Sequence, residues 1–247
     1  MTQVKIIFYI CEKYSCFIRN IYKTLDTKIY MKYYQNKPSG YYDNVRKEML
    51  KFLPETAKKI MDVGCGNGAF ASLVKQKNNA EVWGIELMEE EAKVAETVLH
   101  KVFIGNCEKH IEGLPENYFD VIYFNDVLEH LVDPYAVLET LKSKLSPKGV
   151  IISSIPNVRF YRTFSKVVFL KDWKYDEFGI MDKTHLRFFT GKSIKRMYEE
   201  LGYEILIHEG INITKSLKPI LFNILTLFTQ MDIRIHQYAT VAGVKQS

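Results

Sequence analysis

Residues 60 to 70 read IMDVGCGNGAF: an apolar run ending in an acid, three glycines within five positions, then apolar residues again. Few folds accept such a stretch. The apolar run reads as a buried strand, and Phe70, Leu73 and Val74 recur at helical spacing, so the chain must turn sharply from strand to helix. The amides at such a helix start are unpaired, and Gly64, Gly66 and Gly68 let something approach the backbone closely. The stretch is therefore expected to cradle a ligand.

The rest of the chain alternates in step with this unit, the signature of an α/β domain with a parallel sheet. Strands are expected at 58–63, 81–87, 101–106, 118–126, 149–157, 203–210 and 236–246, and helices at 68–77, 88–99, 134–145 and 191–202. Pro147 to Gly149 is expected as a turn into the fifth strand. Two regions fall outside the rhythm. Residues 1–44 are aromatic and basic, and 157–190 form an insertion after the fifth strand, where the carboxyl edge of an open sheet binds ligands. A helix is expected over 39–54, with Tyr42 near its start.

Which ligand follows from what the loop lacks. A phosphate loop of the GxxxxGK[ST] type would end in Gly-Lys-Ser or Gly-Lys-Thr, and this one ends NGAF. A dinucleotide fingerprint is GxGxxG, whereas this is GxGxG with Asp62 two positions before the first glycine. An acid there opposes a pyrophosphate and suits a cation. Glu86, at the end of the second strand, can accept ribose hydroxyls. Loop and acid together describe a nucleoside with a positively charged far end, and S-adenosylmethionine has that form.

IMDVGCGNGAF, VWGIEL, FDVIYFNDVLEHLVDP and LSPKGVIISSIPN together resemble the class I, Rossmann-like S-adenosylmethionine-dependent methyltransferases. The resemblance covers about residues 45 to 245. It implies a doubly wound sheet of seven strands, mostly parallel with the last antiparallel. It places Asp62, Gly64, Cys65, Gly66 and Gly68 around the methionine part and Glu86 and Leu87 at the ribose. Asn106 and Cys107 fall beside the adenine, where the family often has an acid, and Asn125, Asp126 and Val127 lie under the cofactor. A narrower resemblance, through SSIPNVRFYRT and DKTHLRFFTGKSIKRMYEELGYE, is to methyltransferases of bacterial surface-polysaccharide and O-antigen biosynthesis.

Methyl transfer from a sulfonium is an in-line displacement that needs alignment and exclusion of water, and no metal is expected. A hydroxyl acceptor also needs a base, for which histidine suits. By the same resemblance His130, just after the fourth strand, lies near the acceptor and Tyr42 is a candidate lid over the cofactor; His185 and Arg187 belong to the roof formed by 157–190. A small-molecule or glycan hydroxyl is the expected acceptor. The segment after the fourth strand, NDVLEH, lacks the Asn/Asp-Pro-Pro-aromatic pattern of nucleic-acid amine methylation, and no dense basic block exists at a net charge of +5, so DNA is not expected. An RNA or protein acceptor, or a binder without turnover, stays open as an alternative. The four cysteines have no zinc-ligand spacing and read as reduced thiols in a cytoplasmic protein. The run 219–228 is about half of what spans a bilayer, so 216–230 is either a buried helix or a peripheral membrane contact.

Overall fold

The structure is a computed structural model that describes residues 45–245; Tyr42 and the expected lid segment 1–44 lie outside the described residues. Seven strands lie among the described residues: β1 (Lys59–Val63), β2 (Glu81–Glu86), β3 (Lys101–Ile104), β4 (Phe119–Asn125), β5 (Leu145–Pro156), β6 (Tyr203–Ile213) and β7 (Ile235–Val244). They form one sheet in the order β3-β2-β1-β4-β5-β7-β6. Neighbours from β3 to β5 are parallel, while β7 runs antiparallel to both β5 and β6. Six strands therefore point one way and β7 alone points back.

Alternation along the central strands builds two cores. Ile60, Val121, Tyr123 and Ile152 face one side with Phe70 and Val74 of α1 (Ala69–Asn78) and Ala95 of α2 (Glu89–Glu96). Met61, Ile122, Phe124 and Ile151 face the other with Leu138 of α4 (Pro134–Leu141) and Ile194 and Met197 of α6 (Gly191–Glu200). Between α2 and α4 lies a single turn, α3 (Cys107–His110), and α5 (Tyr161–Phe169) belongs to the insertion. The seventh helix, α7, spans Lys218–Leu225. Helix starts follow local chemistry: Asp133 accepts from the Ala136 amide ahead of Pro134, and Thr190 with Ser193 forms a capping box.

Two local expectations are corrected. The described part of the 39–54 segment is a 3-10 turn, Lys47–Phe52, rather than a full helix. The turn expected at Pro147–Gly149 is absorbed into β5, whose register against β4 shifts between Phe119 and Val121. A Cβ on Gly149 would lie 2.5 Å from the Phe119 carbonyl oxygen, so only glycine permits that approach.

Candidate active site

Strand order reverses beside β1, whose chain leaves toward β2 while β4 lies on its other flank. Such a switch point opens a crevice at the carboxyl ends of the strands. The loop Gly64–Gly68 leaves β1 there, and the turn Asn125–His130 leaves β4. All three glycines have positive φ, at 74°, 53° and 83°. Gly64 is exposed between buried Val63 and Cys65, so its backbone is open to a ligand. Gly68 does a different job: a Cβ there would lie 2.8 Å from Val98 Cγ2 and 3.2 Å from the Ala95 Cα, so its hydrogen lets α2 pack against the loop.

Two buried acids set the electrostatics of this cradle. Glu86 accepts from the Gly66 amide with Oε2 and from the Met88 amide with Oε1, both at 2.8 Å. It thereby braces the glycine loop, and each oxygen keeps a second lone pair for a hydroxyl. Burial raises its pKa despite these bonds. Asp62 is pushed up to about 8, by burial first and by the charge of Glu86 second. Its Oδ1 and the nearby Tyr123 hydroxyl are buried without a hydrogen-bond partner. A cation with hydroxyl groups would satisfy both acids and favour their ionised forms, while a phosphate would disfavour them. The donor set thus fits S-adenosylmethionine and argues against a dinucleotide.

Leu87 follows Glu86 at the cradle's rim, half-buried. Asn106 caps α3 by accepting from the Glu108 amide at 2.8 Å, and Cys107 is buried behind it with its thiol pushed up to about 12. Cys65 is buried too, its thiol raised by burial. Its Sγ sits 2.5 Å from where a Cβ on Gly84 would be, so this strand glycine, unremarkable in sequence, leaves room for the loop.

After β4, Asn125 has both side-chain amide atoms buried and without hydrogen-bond partners. Asp126 takes a left-handed φ of 58° and is held from three directions. Its carboxylate accepts from the Arg46 guanidinium, from Gln237 Nε2 at 2.7 Å and from the Ser154 hydroxyl at 3.2 Å. Arg46 and Gln237 come from opposite ends of the described chain. Val127 Cγ2 fills the space that a Cβ on Gly64 would enter, tying this turn to the glycine loop.

His130 and His185 do come together. Their rings meet edge to face with centroids 4.6 Å apart, and buried Glu129 places Oε1 4.0 Å from His185 Nε2. Burial pushes the Glu129 carboxyl up to about 8. His185 is buried rather than displayed on an open roof. Arg187 is exposed and donates to the Val132 carbonyl at 2.6 Å, while the Leu186 and Arg187 amides donate to the Glu129 carbonyl. In this structure Arg187 pins the insertion onto the turn after β4.

A glycine cradle backed by two buried acids, on a sheet whose seventh strand alone runs backwards, defines the Rossmann-like methyltransferase class. A methyltransferase-domain family model matches residues 34–208, and the chain belongs to that family. A crystal structure of an S-adenosylmethionine-dependent methyltransferase from Archaeoglobus fulgidus superposes with a TM-score of 0.63 at 20% identity, covering 81% of this chain and 93% of that one. In sequence, an uncharacterized methyltransferase of Schizosaccharomyces pombe is 32% identical over 140 residues, 52% of this chain and 48% of the relative. A ubiquinone biosynthesis O-methyltransferase of Aliivibrio fischeri is 36% identical over 109 residues, 40% of this chain and 44% of the relative. The chain thus spans about half the length of the curated relatives it matches. Family and fold imply S-adenosylmethionine as the cofactor.

Proposed function

We propose that the chain transfers a methyl group from S-adenosylmethionine to a hydroxyl oxygen of a small or glycan-type acceptor. The observation that carries this reading is the pairing, on one edge of the sheet, of the acid-lined glycine cradle with the Glu129–His130–His185 group. Bound in the cradle, the cofactor supplies an electrophilic methyl on a sulfonium. Asp62 and the glycine loop hold its amino-acid end, and Glu86 holds the ribose. The Asn125–Val127 turn supports it from below, with Leu87, Asn106 and Cys107 toward the adenine. An acceptor hydroxyl aligned with that methyl would lose its proton on the histidine side of the same edge, where His130 and His185 stand.

His130→Ala should lower turnover by about 10²- to 10⁴-fold, the range of one acid–base group, with little change in cofactor affinity. Single-turnover rates set beside calorimetric cofactor titrations would separate the two. An unchanged rate would return His130 to a packing role.

The acceptor class is approached from two sides. The surface-polysaccharide resemblance supports a sugar hydroxyl, and the name of the Aliivibrio relative supports a ring hydroxyl on a lipid. The shared chemistry is a hydroxyl near a lipid. Helices α5 and α7 favour this, because they touch through Phe164 and Phe222 at 5.4 Å and leave a joint apolar face in water. Leu225 is 84% exposed, Leu227 83% and Leu170 72%, and Phe169 and Leu221 are exposed on the same two helices. From Gly210 to Met231 the sequence has no acid but includes Lys215 and Lys218, both exposed. This face is proposed to rest on an anionic bilayer, with apolar tips in the interface and lysines at the headgroups. No helix of the described residues is long and apolar enough to cross a membrane.

The double variant Leu221→Glu, Leu225→Glu should abolish flotation with phosphatidylglycerol vesicles while cofactor binding stays intact. Flotation equal to the unaltered chain would remove the membrane face from the proposal. For the acceptor, radiolabelled cofactor would be offered with a polyprenylated phenol, a polyprenyl-linked sugar, RNA and protein. A methyl ether on the first points to a ring hydroxyl, and on the second to a glycan. Label only on RNA or protein would overturn the reading.

A further inference from the structure

Glu129, His130 and His185 reach one another from two separate parts of the chain, the turn after β4 and the end of the insertion. One ligating atom from each lies within 4.8 Å of the others. Both rings are oriented from behind in the same way. His130 Nδ1 is 3.0 Å from the Thr184 carbonyl oxygen, and His185 Nδ1 is 2.9 Å from the Ile180 carbonyl oxygen. A carbonyl can only accept, so each Nδ1 carries the hydrogen, and in the neutral ring Nε2 carries the lone pair. Backbone carbonyls behind imidazole ligands fix the tautomer of metal-binding histidines in this manner.

The third member supplies what an ion would need. Glu129 is 1% exposed, and neither carboxylate oxygen has a hydrogen-bond partner. Its approach to His185 Nε2, 4.0 Å, is too long for a hydrogen bond. An acid this deeply buried is normally paired, bonded or coordinated. A plain Glu–His pair would close that gap to hydrogen-bond length; here it stays open, and the second imidazole has a ligating atom within 4.8 Å of both groups.

We propose that Glu129, His130 and His185 form a site for one divalent transition-metal ion, with zinc as the reference ion. Two imidazole nitrogens with one carboxylate oxygen suit zinc, cobalt or iron, whereas magnesium and calcium prefer oxygen alone. Bonds of about 2.0–2.1 Å would draw the three ligands inward by roughly 1 Å from their present spacing. Three protein ligands leave a position open, as in catalytic rather than structural sites. In that position the ion would hold the acceptor oxygen and lower the pKa of its hydroxyl; an ion-bound His130 then acts as a ligand and not as the base of the ion-free reading, and the proton passes to solvent. That role rests on the methyl-transfer reading, while binding of the ion does not.

The test uses the full chain without an affinity tag, stripped with chelator and titrated with cobalt(II) and then zinc. The expected result is one ion per chain, a visible cobalt ligand-field spectrum, and displacement of cobalt by zinc. Glu129→Gln and His185→Gln should each weaken zinc binding at least tenfold, with folding checked by thermal unfolding. Half-buried His130→Gln serves as the variant least exposed to a folding defect. No saturable binding by the unaltered chain, or unchanged affinity in the folded variants, would overturn the site. Titration of the same samples with S-adenosylmethionine separates the two ideas. Cofactor bound without an ion sinks only the metal site, and an ion bound without cofactor sinks only the cradle.

Discussion

Replacing Asp62 by asparagine should stabilise the ligand-free chain and, in the same protein, weaken S-adenosylmethionine binding by about 10- to 100-fold, the loss expected for one hydrogen bond to a charged group. The two effects share a cause. Asp62 is buried beside Glu86 with an unpartnered oxygen, and its carboxyl is pushed up to about 8. In the unfolded chain an aspartate titrates near 4, so between about pH 4 and 8 the folded state holds a proton that the unfolded state has released. Stability of the ligand-free chain therefore falls as pH rises through that window. Asparagine keeps the shape and has nothing to ionise, so its pH slope should be shallower. The cofactor's cationic end favours ionised Asp62, so below about pH 8 binding should release a proton and tighten as pH rises. Thermal unfolding from about pH 5 to 8, with and without ligand, reads the first effect. Calorimetry in two buffers of different ionisation heat reads the second. Equal affinity of Asp62→Asn and the unaltered chain would remove Asp62 from the cradle.

Gly68→Ala should cost about 2–4 kcal/mol of stability, from a strained left-handed φ and from overpacking. For a domain near 200 residues that is a fall in Tm of roughly 5–15 °C. The added methyl would point away from the crevice, into Val98 and the backbone of α2 at Ala95. Backbone cannot swing aside as a flexible side chain can. Cofactor affinity of the folded fraction should change less than in Asp62→Asn. Loss of binding without a loss of stability would mean that Gly68 faces the ligand, as the sequence pattern by itself suggests.

That contrast shows where the sequence was legible. Asp62, the three glycines and Glu86 lie within two adjoining strand–loop units, so their order along the chain already implies their nearness. β7 was legible as a strand from its own residues, but its antiparallel direction came only through the family resemblance, because a strand's residue pattern says nothing about direction. Arg46 and Gln237 were missed, since they converge on Asp126 across 80 and 111 positions and neither belongs to a local motif. Glu129 was passed over because an acid beside His130 in a turn reads as solvated, and only the insertion folding back buries it. Gly84 escaped for the opposite reason. A small residue inside a strand carries no signal until the Cys65 sulfur is found against it.

The grip of Arg46 on Asp126 also says where this domain begins. Judged by strands, it starts at Lys59; judged by charge, it starts earlier, because the cation that balances the turn after β4 is carried on the residues leading into the sheet. Glu129 draws on the same cation. A chain trimmed neatly to its first strand would keep β1–β7 and α1–α7 but lose the 3-10 turn Lys47–Phe52, and would leave the Asp126 carboxylate without its counter-ion. The approach to the sheet is thus an electrostatic part of the candidate site, and any boundary drawn for swapping or fusing this domain belongs upstream of Arg46.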